Sequence, residues 1–412
     1  GTPELLYQEL HPLLYYQEVT SMKATSNPDI LYHSEAMSAP DRDKFIEAML
    51  KEVRDHEARG HWKVIPKEEV PPGKTPLPAV WSMARKREIL SRHVYKWKSR
   101  LNLGGHKQTV MKIPKGFTFE GSNQRHVLQL IYNLYGGKDA GRIYFKFMEK
   151  YLKEIGFTQS SIDPCVFYYK GCILLLYVDD IVLAVKKEED LYDAFEILSD
   201  NVDMEFKGDL NDYVGVHIDK IDDNTLNLTQ PNIIDSVLEE LRLTESSNPA
   251  RTPSASSRIL HADLTGEPHD GHFNYRRVIG KLNYLASSTR PDIAFAVHQC
   301  ARFMANPKLS HAKAVKQIGR YLLATRDQGL IIHPDPRKSY ECYADASFSG
   351  EWINGHQDQA MYDPNTARSR TGFVIFFAGV PILWRSSLQM EVALSSTEAE
   401  MIALSAATRE NI

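Results

Sequence analysis

The spacing of apolar positions changes several times along this chain, and each change marks an element. The densest apolar stretch is 173–185, ILLLYVDDIVLAV, where two runs, 173–178 and 181–185, are each of strand length and rich in branched aliphatics. Continuous rather than alternating hydrophobicity predicts a hairpin buried on both faces, with Asp179-Asp180 as its turn. Earlier in the chain, Phe45, Ile46, Met49, Leu50 and Val53 recur at helical spacing, predicting a helix capped by Asp41 or Asp43 that runs to about Arg59 and ends at Gly60. Residues 61–65 read as a strand, 66–78 as a proline-rich turn region, and 143–156 as an amphipathic helix.

After the hairpin, 188–198 has helical spacing, 213–218 and 225–229 read as paired strands, and 231–243 as a helix. Residues 248–257 are dense in Pro, Ser and Ala, as a linker is. Two helical stretches, 275–305 and 311–325, follow. From about Gly329 the period becomes that of strands, at 340–344, 372–379 and 381–386. Residues 1–40 show little periodicity and read as a linker.

Composition narrows the class. With 412 residues, 42% of them hydrophobic, the chain can bury a large core and should divide into two or three domains. Cys165, Cys172, Cys300 and Cys342 form no CxxC and have no histidine at metal spacing, which suits a reducing compartment and argues against a disulfide framework or a zinc site. No charged-then-apolar leader and no apolar run of membrane length is present, so the sequence predicts a soluble protein of the cytoplasm or nucleus with no membrane partner. A start at Gly1 and a stop inside an apparent helix suggest a fragment at both ends. The formal charge of −4 means that nucleic-acid binding would have to rest on local basic clusters. Residues 85–100 are such a cluster: Arg85, Lys86, Arg87, Arg92, Lys96, Lys98 and Arg100, with Tyr95 and Trp97 interleaved as stacking platforms. The same charges could equally solubilise an ordinary strand pair.

Two like charges at the tip of an apolar hairpin cannot both stay ionised in a dry site, so solvent or a cation must answer Asp179 and Asp180. Magnesium suits such a pair, since it takes one or two carboxylates and completes its shell with water and phosphate oxygens. Asp-Asp is also common turn chemistry.

Tyr177-Val178-Asp179-Asp180 matches the Tyr-x-Asp-Asp box of reverse transcriptases, and its surroundings resemble the polymerase of copia-type LTR retrotransposon polyproteins. The resemblance continues through YRRVIGKLNYLASSTRPDI at 275–293, RYLLATRDQGL at 320–330, Tyr343-Ala344-Asp345-Ala346 and SSTEAE at 395–400. It implies an α+β fold: a fingers-like segment at 41–110, a palm-like segment at 111–255, thumb and connection helices at 256–328, and the start of a ribonuclease H-like α/β domain at 329–412. It implies RNA-directed DNA polymerase and ribonuclease H activities, with an RNA template, a DNA primer or RNA–DNA hybrid, and deoxynucleoside triphosphates as partners. Asp179, Asp180, Asp345 and Glu398 would be catalytic ligands to Mg2+. Lys98, Arg100, Gly136 and Lys138 would line the nucleotide site, the arginine as a fork and the lysine as a point charge. Arg276, Arg277, Lys281, Arg302, Lys313, Lys316 and Arg320 could face a duplex or simply form a solvated helix face. For Glu398 there is a second role, because Ser395-x-x-Glu398 is a capping box.

The chain departs from the family at one junction. Where the family carries several dozen residues, including the apolar strand with its first catalytic Asp, only Thr109 and Val110 separate Gln108 from Met111–Phe117 (MKIPKGF). Between Leu101 and Gly171 the only aspartates are Asp139, in a Gly-rich turn, and Asp163, before Pro164. Asn133, Gly137, Asp139 and Gly141 also depart from the family's nucleotide-pocket block at 130–142. A two-metal centre holds its ions about 3.5–4 Å apart and needs carboxylates to bridge them. The expectation is therefore a polymerase that is defective as written, with weakened Mg2+ binding. A non-catalytic nucleic-acid-binding remnant or a mispredicted gene product is the alternative.

Overall fold

The computed structural model describes residues 6–7, 29–87, 93–103, 110–119, 125–132, 140–178, 180–200, 202, 204–255, 259–349 and 367–410. It divides into two units, Gly1–Gly208 and Asp209–Ile412, both mixing helix and sheet. No helix among the described residues is long and apolar enough to cross a membrane.

After the two-residue strand Leu6–Tyr7, which pairs with Phe117–Thr118, the described part of the first unit continues with strand β1 (Ile30–Leu31) and helices α1 (His33–Met37) and α2 (Arg42–Ala58). The apolar spacing read in the sequence sets the buried face of α2, on which Phe45, Met49 and Val53 lie. Strand β2 is Trp62–Pro66, and the long hairpin β3 (Ala79–Arg87) and β4 (Val94–Leu103) follows it. Strands β1, β3 and β4 form one antiparallel sheet whose buried face, with Trp81, Met83, Leu101 and Leu103, shares a core with α2. A second sheet joins β2, β5 (Val110–Met111) and β6 (His126–Leu130).

Helix α3 (Ala140–Glu154) and strands β7 (Thr158–Gln159), β8 (Val166–Tyr169), β9 (Cys172–Tyr177) and β10 (Asp180–Ala184) come next, followed by helix α4 (Glu188–Ser199). The four strands form one antiparallel sheet in the order β10-β9-β8-β7. One face is closed by Met148, Tyr151 and Leu152 of α3 and Leu198 of α4, packed on Phe167, Leu174 and Leu176. The other face corrects the sequence reading. Along β9, Cys172, Leu174 and Leu176 are buried while Ile173, Leu175 and Tyr177 are 42%, 38% and 52% exposed. An unbroken apolar run is therefore not buried on both sides: the strand's period of two still sends alternate residues to opposite faces, and among the described residues only one face has helices over it.

In the second unit, β11 (Val216–Asp222), β12 (Thr225–Thr229) and β13 (Leu330–Ile332) lie in one antiparallel sheet. Helices α5 (Pro231–Leu241), α6 (Tyr275–Ser288), α7 (Ala294–Ala301) and α8 (Leu309–Ala324) share one core. The stretch predicted as a single helix over 275–305 is broken, because Pro291 pushes Arg290 out of helical geometry, to φ −127° and ψ 67°. Gly319 of α8 marks the approach to α5. A Cβ there would come within 2.6 Å of Leu241 Cδ1.

The chain then forms an antiparallel sheet of β14 (Tyr340–Ser347), β15 (Arg370–Phe377) and β16 (Val380–Leu388), with helix α9 (Ser396–Arg409). Ala399, Ala403 and Ala407, four apart, are the buried residues of α9, and Ala407 packs with Phe373 and Ile375 of β15. Trp384 of β16 donates its indole N–H to the Ala286 carbonyl of α6, 2.6 Å away, tying this sheet to the helical core.

Candidate active site

Tyr177 of β9 pairs with Asp180 of β10, so the two residues between the strands are 178 and 179, and Asp180 belongs to a strand rather than to the turn. Two-residue hairpin loops require positive φ at the first central position. Val178 supplies it at φ +54°. A β-branched residue in that region costs about 1–3 kcal/mol, and strain of this kind concentrates at functional sites. Asp179 lies outside the described residues. The Asp180 side chain is exposed, at the start of the strand that ends the sheet.

A two-ion centre needs several carboxylates converging on one point. Among the described residues, Asp180 joins no group of three His, Cys, Asp or Glu side chains with ligand atoms within 4.8 Å of one another. Asp180 offers one water-accessible carboxylate, which suits a cation that keeps mostly water in its shell. Val110 within the junction and Met111 just after it are fully buried and pair with Gln129 and Leu128 of β6. They thus belong to the β2-β6-β5 sheet, and among the described residues β10 remains the outermost strand of its own.

The basic cluster separates into two faces. Arg85 and Arg87 share the face of Trp81 and Met83, and both are occupied: Arg85 donates through Nε and Nη2 to the Asp41 carboxylate at 2.7 and 2.6 Å, and Arg87 Nε donates to Asp29 at 2.8 Å. Trp97, opposite Arg85, also donates to Asp41. The Arg85 guanidinium holds the Asp41 carboxyl well below the ordinary carboxylate range. Neither arginine nor Trp97 is part of a phosphate-tracking surface, which corrects their inclusion in the cluster. The helical spacing alone marks Asp41 as a helix cap. The signal for its pairing lay in the strand parity of Arg85 and Trp97, which becomes usable only once their register is known.

Lys86, Lys96, Lys98 and Arg100 fall on the opposite face of the hairpin, with Lys86 directly across from Lys96. Like charges placed opposite each other destabilise a sheet, so a face of this composition favours an anionic partner. Lys98 and Arg100 are two residues apart on β4 and share that face. Arg92, Gly136 and Lys138 lie outside the described residues.

In the second unit, Asp345 is exposed in β14, paired with Gly372 of β15. Glu398 stands in the first turn of α9, where its own N–H donates to Ser395 Oγ at 3.1 Å and its carboxylate accepts the Leu394 N–H at 2.7 Å. Only the Ser395 half of the expected capping box forms, because Glu398 reaches past the N-cap to Leu394 instead of accepting the Ser395 N–H. Of the helix cations, Arg277 and Lys281 both donate to Glu240 of α5, at 2.8 and 3.0 Å, and Arg320 donates to the Asn248 carbonyl. These bonds hold helices and loops together. Lys313 remains exposed on α8.

The buried polar centre of this unit lies within the 275–293 and 320–330 motifs. Arg290, 2% exposed in its side chain, donates to both Asp292 carboxylate oxygens, to the Thr325 carbonyl at 2.9 Å and to Thr325 Oγ1 at 2.7 Å, and stacks on Tyr321. Burial would raise the Asp292 carboxyl, but the bonds from Arg290 and Tyr321 outweigh it and hold it low.

A reverse transcriptase (RNA-dependent DNA polymerase) family matches residues 106–256. The retrovirus-related Pol polyprotein from transposon TNT 1-94 of Nicotiana tabacum is 28% identical over 92% of this chain and 32% of that polyprotein. The corresponding polyprotein from transposon RE1 of Arabidopsis thaliana is 30% identical over 70% of this chain and 19% of its own length. A solved foamy viral protease-reverse transcriptase in complex with double-stranded DNA is similar over 89% of this chain and 60% of that one, at 12% identity and a TM-score of 0.46. The chain therefore spans a third or less of these curated relatives. Across that span, the chain belongs to the copia-type retrotransposon Pol polyproteins and represents their reverse transcriptase region.

Proposed function

We propose that this region derives from an enzyme extending a DNA primer on an RNA template, and that the chain as given is defective in that synthesis. The observation carrying the proposal is the open edge of β10. The strand that would bring a further aspartate beside Asp180 has no counterpart among the described residues, and the chain just beyond the junction is committed to another sheet. Catalysis of this class rests on positioning and charge neutralisation, so loss of one bridging carboxylate removes nearly all of it. The family uses a divalent metal. The carboxylates that would hold it here are Asp179 and Asp180, with Asp345 and Glu398 as the remaining part of a ribonuclease H-like site. In this reading 41–110 act as fingers, 111–255 as a shortened palm, 256–328 as thumb and connection, and 329–412 as the ribonuclease H-like segment, working in the cytoplasm or nucleus.

Lys86, Lys96, Lys98 and Arg100 would hold phosphates of the template–primer or the incoming triphosphate. Four such contacts give a log-log salt slope of about −3 on single strands. The test is extension of a labelled primer on RNA with magnesium and deoxynucleoside triphosphates. No product above the enzyme-free control is expected, together with binding that weakens with salt and loses about half its slope in the Lys96→Ala/Lys98→Ala variant. Extension abolished by Asp180→Asn would overturn the defect.

A further inference from the structure

We propose that the loop 266–273 binds a divalent transition-metal cation, zinc in the first instance, through His269, Asp270 and His272. Each of the three offers a ligand atom, and these atoms lie within 4.8 Å of one another. The decisive atom is His269 Nδ1. On the other side of its ring, Nε2 lies 2.9 Å from the Phe273 carbonyl, which can only accept, so Nε2 carries the proton and Nδ1 presents a lone pair. That lone pair is buried, in a side chain only 6% exposed, has no hydrogen-bond partner, and faces Asp270 Oδ1 at 3.4 Å. Two acceptors facing each other repel unless a cation lies between them. Bonds of about 2.0–2.1 Å to a tetrahedral zinc put neighbouring ligand atoms about 3.4 Å apart, so this spacing needs no rearrangement.

His272 completes the set. Its Nδ1 hydrogen-bonds to the same Asp270 Oδ1, and its Nε2 is buried without a partner. A bound cation would replace the proton shared between His272 and Asp270, with these two atoms parting from hydrogen-bond contact to about 3.4 Å. The bond from His269 Nε2 to a backbone carbonyl is the support that orients metal-binding imidazoles elsewhere. Two imidazoles and one carboxylate favour zinc and its neighbours over magnesium or calcium, which prefer oxygen alone. The site uses no cysteine, and so escapes a search for zinc motifs based on cysteine spacing.

The loop is also held in place. Gly271 takes φ +75°, which allows ligands one and two residues away to turn inward. The His269 N–H donates to the Pro307 carbonyl at 2.9 Å, and the Leu309 N–H donates to the Glu267 carbonyl at 3.0 Å. Phe273 and Tyr275 anchor the loop's far end in the helical core. A cation here would fasten the segment entering α6 to the start of α8.

The whole chain, stripped of metal and titrated with zinc, is expected to bind one ion and to melt about 5–10 °C higher with zinc at a hundredfold over its dissociation constant. Cobalt should give visible absorption of tetrahedral intensity that zinc displaces. Asp270 is exposed and His272 partly so, and Asp270→Asn and His272→Gln should lose both effects while their metal-free melting temperatures stay within about 1 °C of the parent. Binding that survives unchanged in both variants, or an equal shift with magnesium, would overturn the proposal. So would a parent chain showing neither saturable zinc binding nor a cobalt band, a result that does not depend on the variants folding.

Discussion

Arg290 and Asp180 are both charges set beside apolar surface, one in the helical core of the second unit and one at the sheet edge of the first. Arg290 is closed off by protein: a carboxylate, a carbonyl, a hydroxyl and an aromatic ring surround it. Asp180 stands at the end of a sheet whose second face leaves Ile173, Leu175 and Tyr177 in water. A buried ion must find its partners within the fold, because water cannot reach it. An exposed one can leave them to a cation, a substrate or another strand. The first region is therefore self-sufficient, and the second is a platform whose completion lies elsewhere.

The strongest way to break this contrast is to open the closed site. Asp292→Ala leaves the Arg290 guanidinium buried with only Thr325 and Tyr321 beside it. Removing one partner of a buried pair costs about 3–5 kcal/mol, and since the Asp292 side chain is 36% exposed the lower end applies. For a unit of this size, that lowers the melting temperature by about 6–12 °C. A drop below about 2 °C would show that the two remaining partners suffice and that the centre is less closed than its geometry suggests.

Adjacent residues of β9 test the other half. Leu174 is fully buried beneath α3 and α4, and Leu174→Ala should cost about 3 kcal/mol in urea denaturation. Leu175, 38% exposed, should change stability by no more than about 0.5 kcal/mol when made Ala. Equal losses would mean that the second face of the sheet is covered in solution after all.

The same pair shows what the sequence could and could not reveal. Helix α2, the hairpin strands and the partners β11 and β12 were all legible, because each pattern of buried positions has one matching period. The length of the apolar run around Leu174 and Leu175 suggested burial on both faces, but burial depends on what packs over a face, and that is a property of segments distant in sequence. Pro291 within 275–305 was visible, and its break of the helix follows from local sterics, yet the continuous apolar spacing on both sides masked it. In the basic cluster, residue type identified the charges and only register separated Arg85 and Arg87, held by Asp41 and Asp29, from Lys96, Lys98 and Arg100 on the other face. The loop at 269–272 carried no apolar period at all, so nothing drew attention to its histidines.

A smaller effect is expected at the turn itself. Val178→Gly removes a Cβ from a left-handed position where an L-residue costs about 1–2 kcal/mol, against about 0.5–1 kcal/mol of extra chain entropy. The net gain is about 0.5–1 kcal/mol, read as a higher urea midpoint. A loss instead would show that the valine side chain is held by contacts worth more than its strain.

The smallest effect returns to a charge with mixed surroundings. His217 on β11 lies 2.9 Å from both Asp212 and Asp219. Burial alone would lower its pKa, but the two carboxylates outweigh this and hold the imidazole above its ordinary value. A folded value raised above the unfolded one makes the contribution fully present below about pH 6.5 and lost as pH rises through the folded value. Both carboxylates are half exposed, so solvent screening keeps the effect below about 1 kcal/mol. Stability measured by urea across that range should decline toward alkaline pH, and Asp219→Asn should flatten the decline. A slope unchanged by that substitution would assign it to another group and leave His217 closer to the open condition of Asp180 than to the closed one of Arg290.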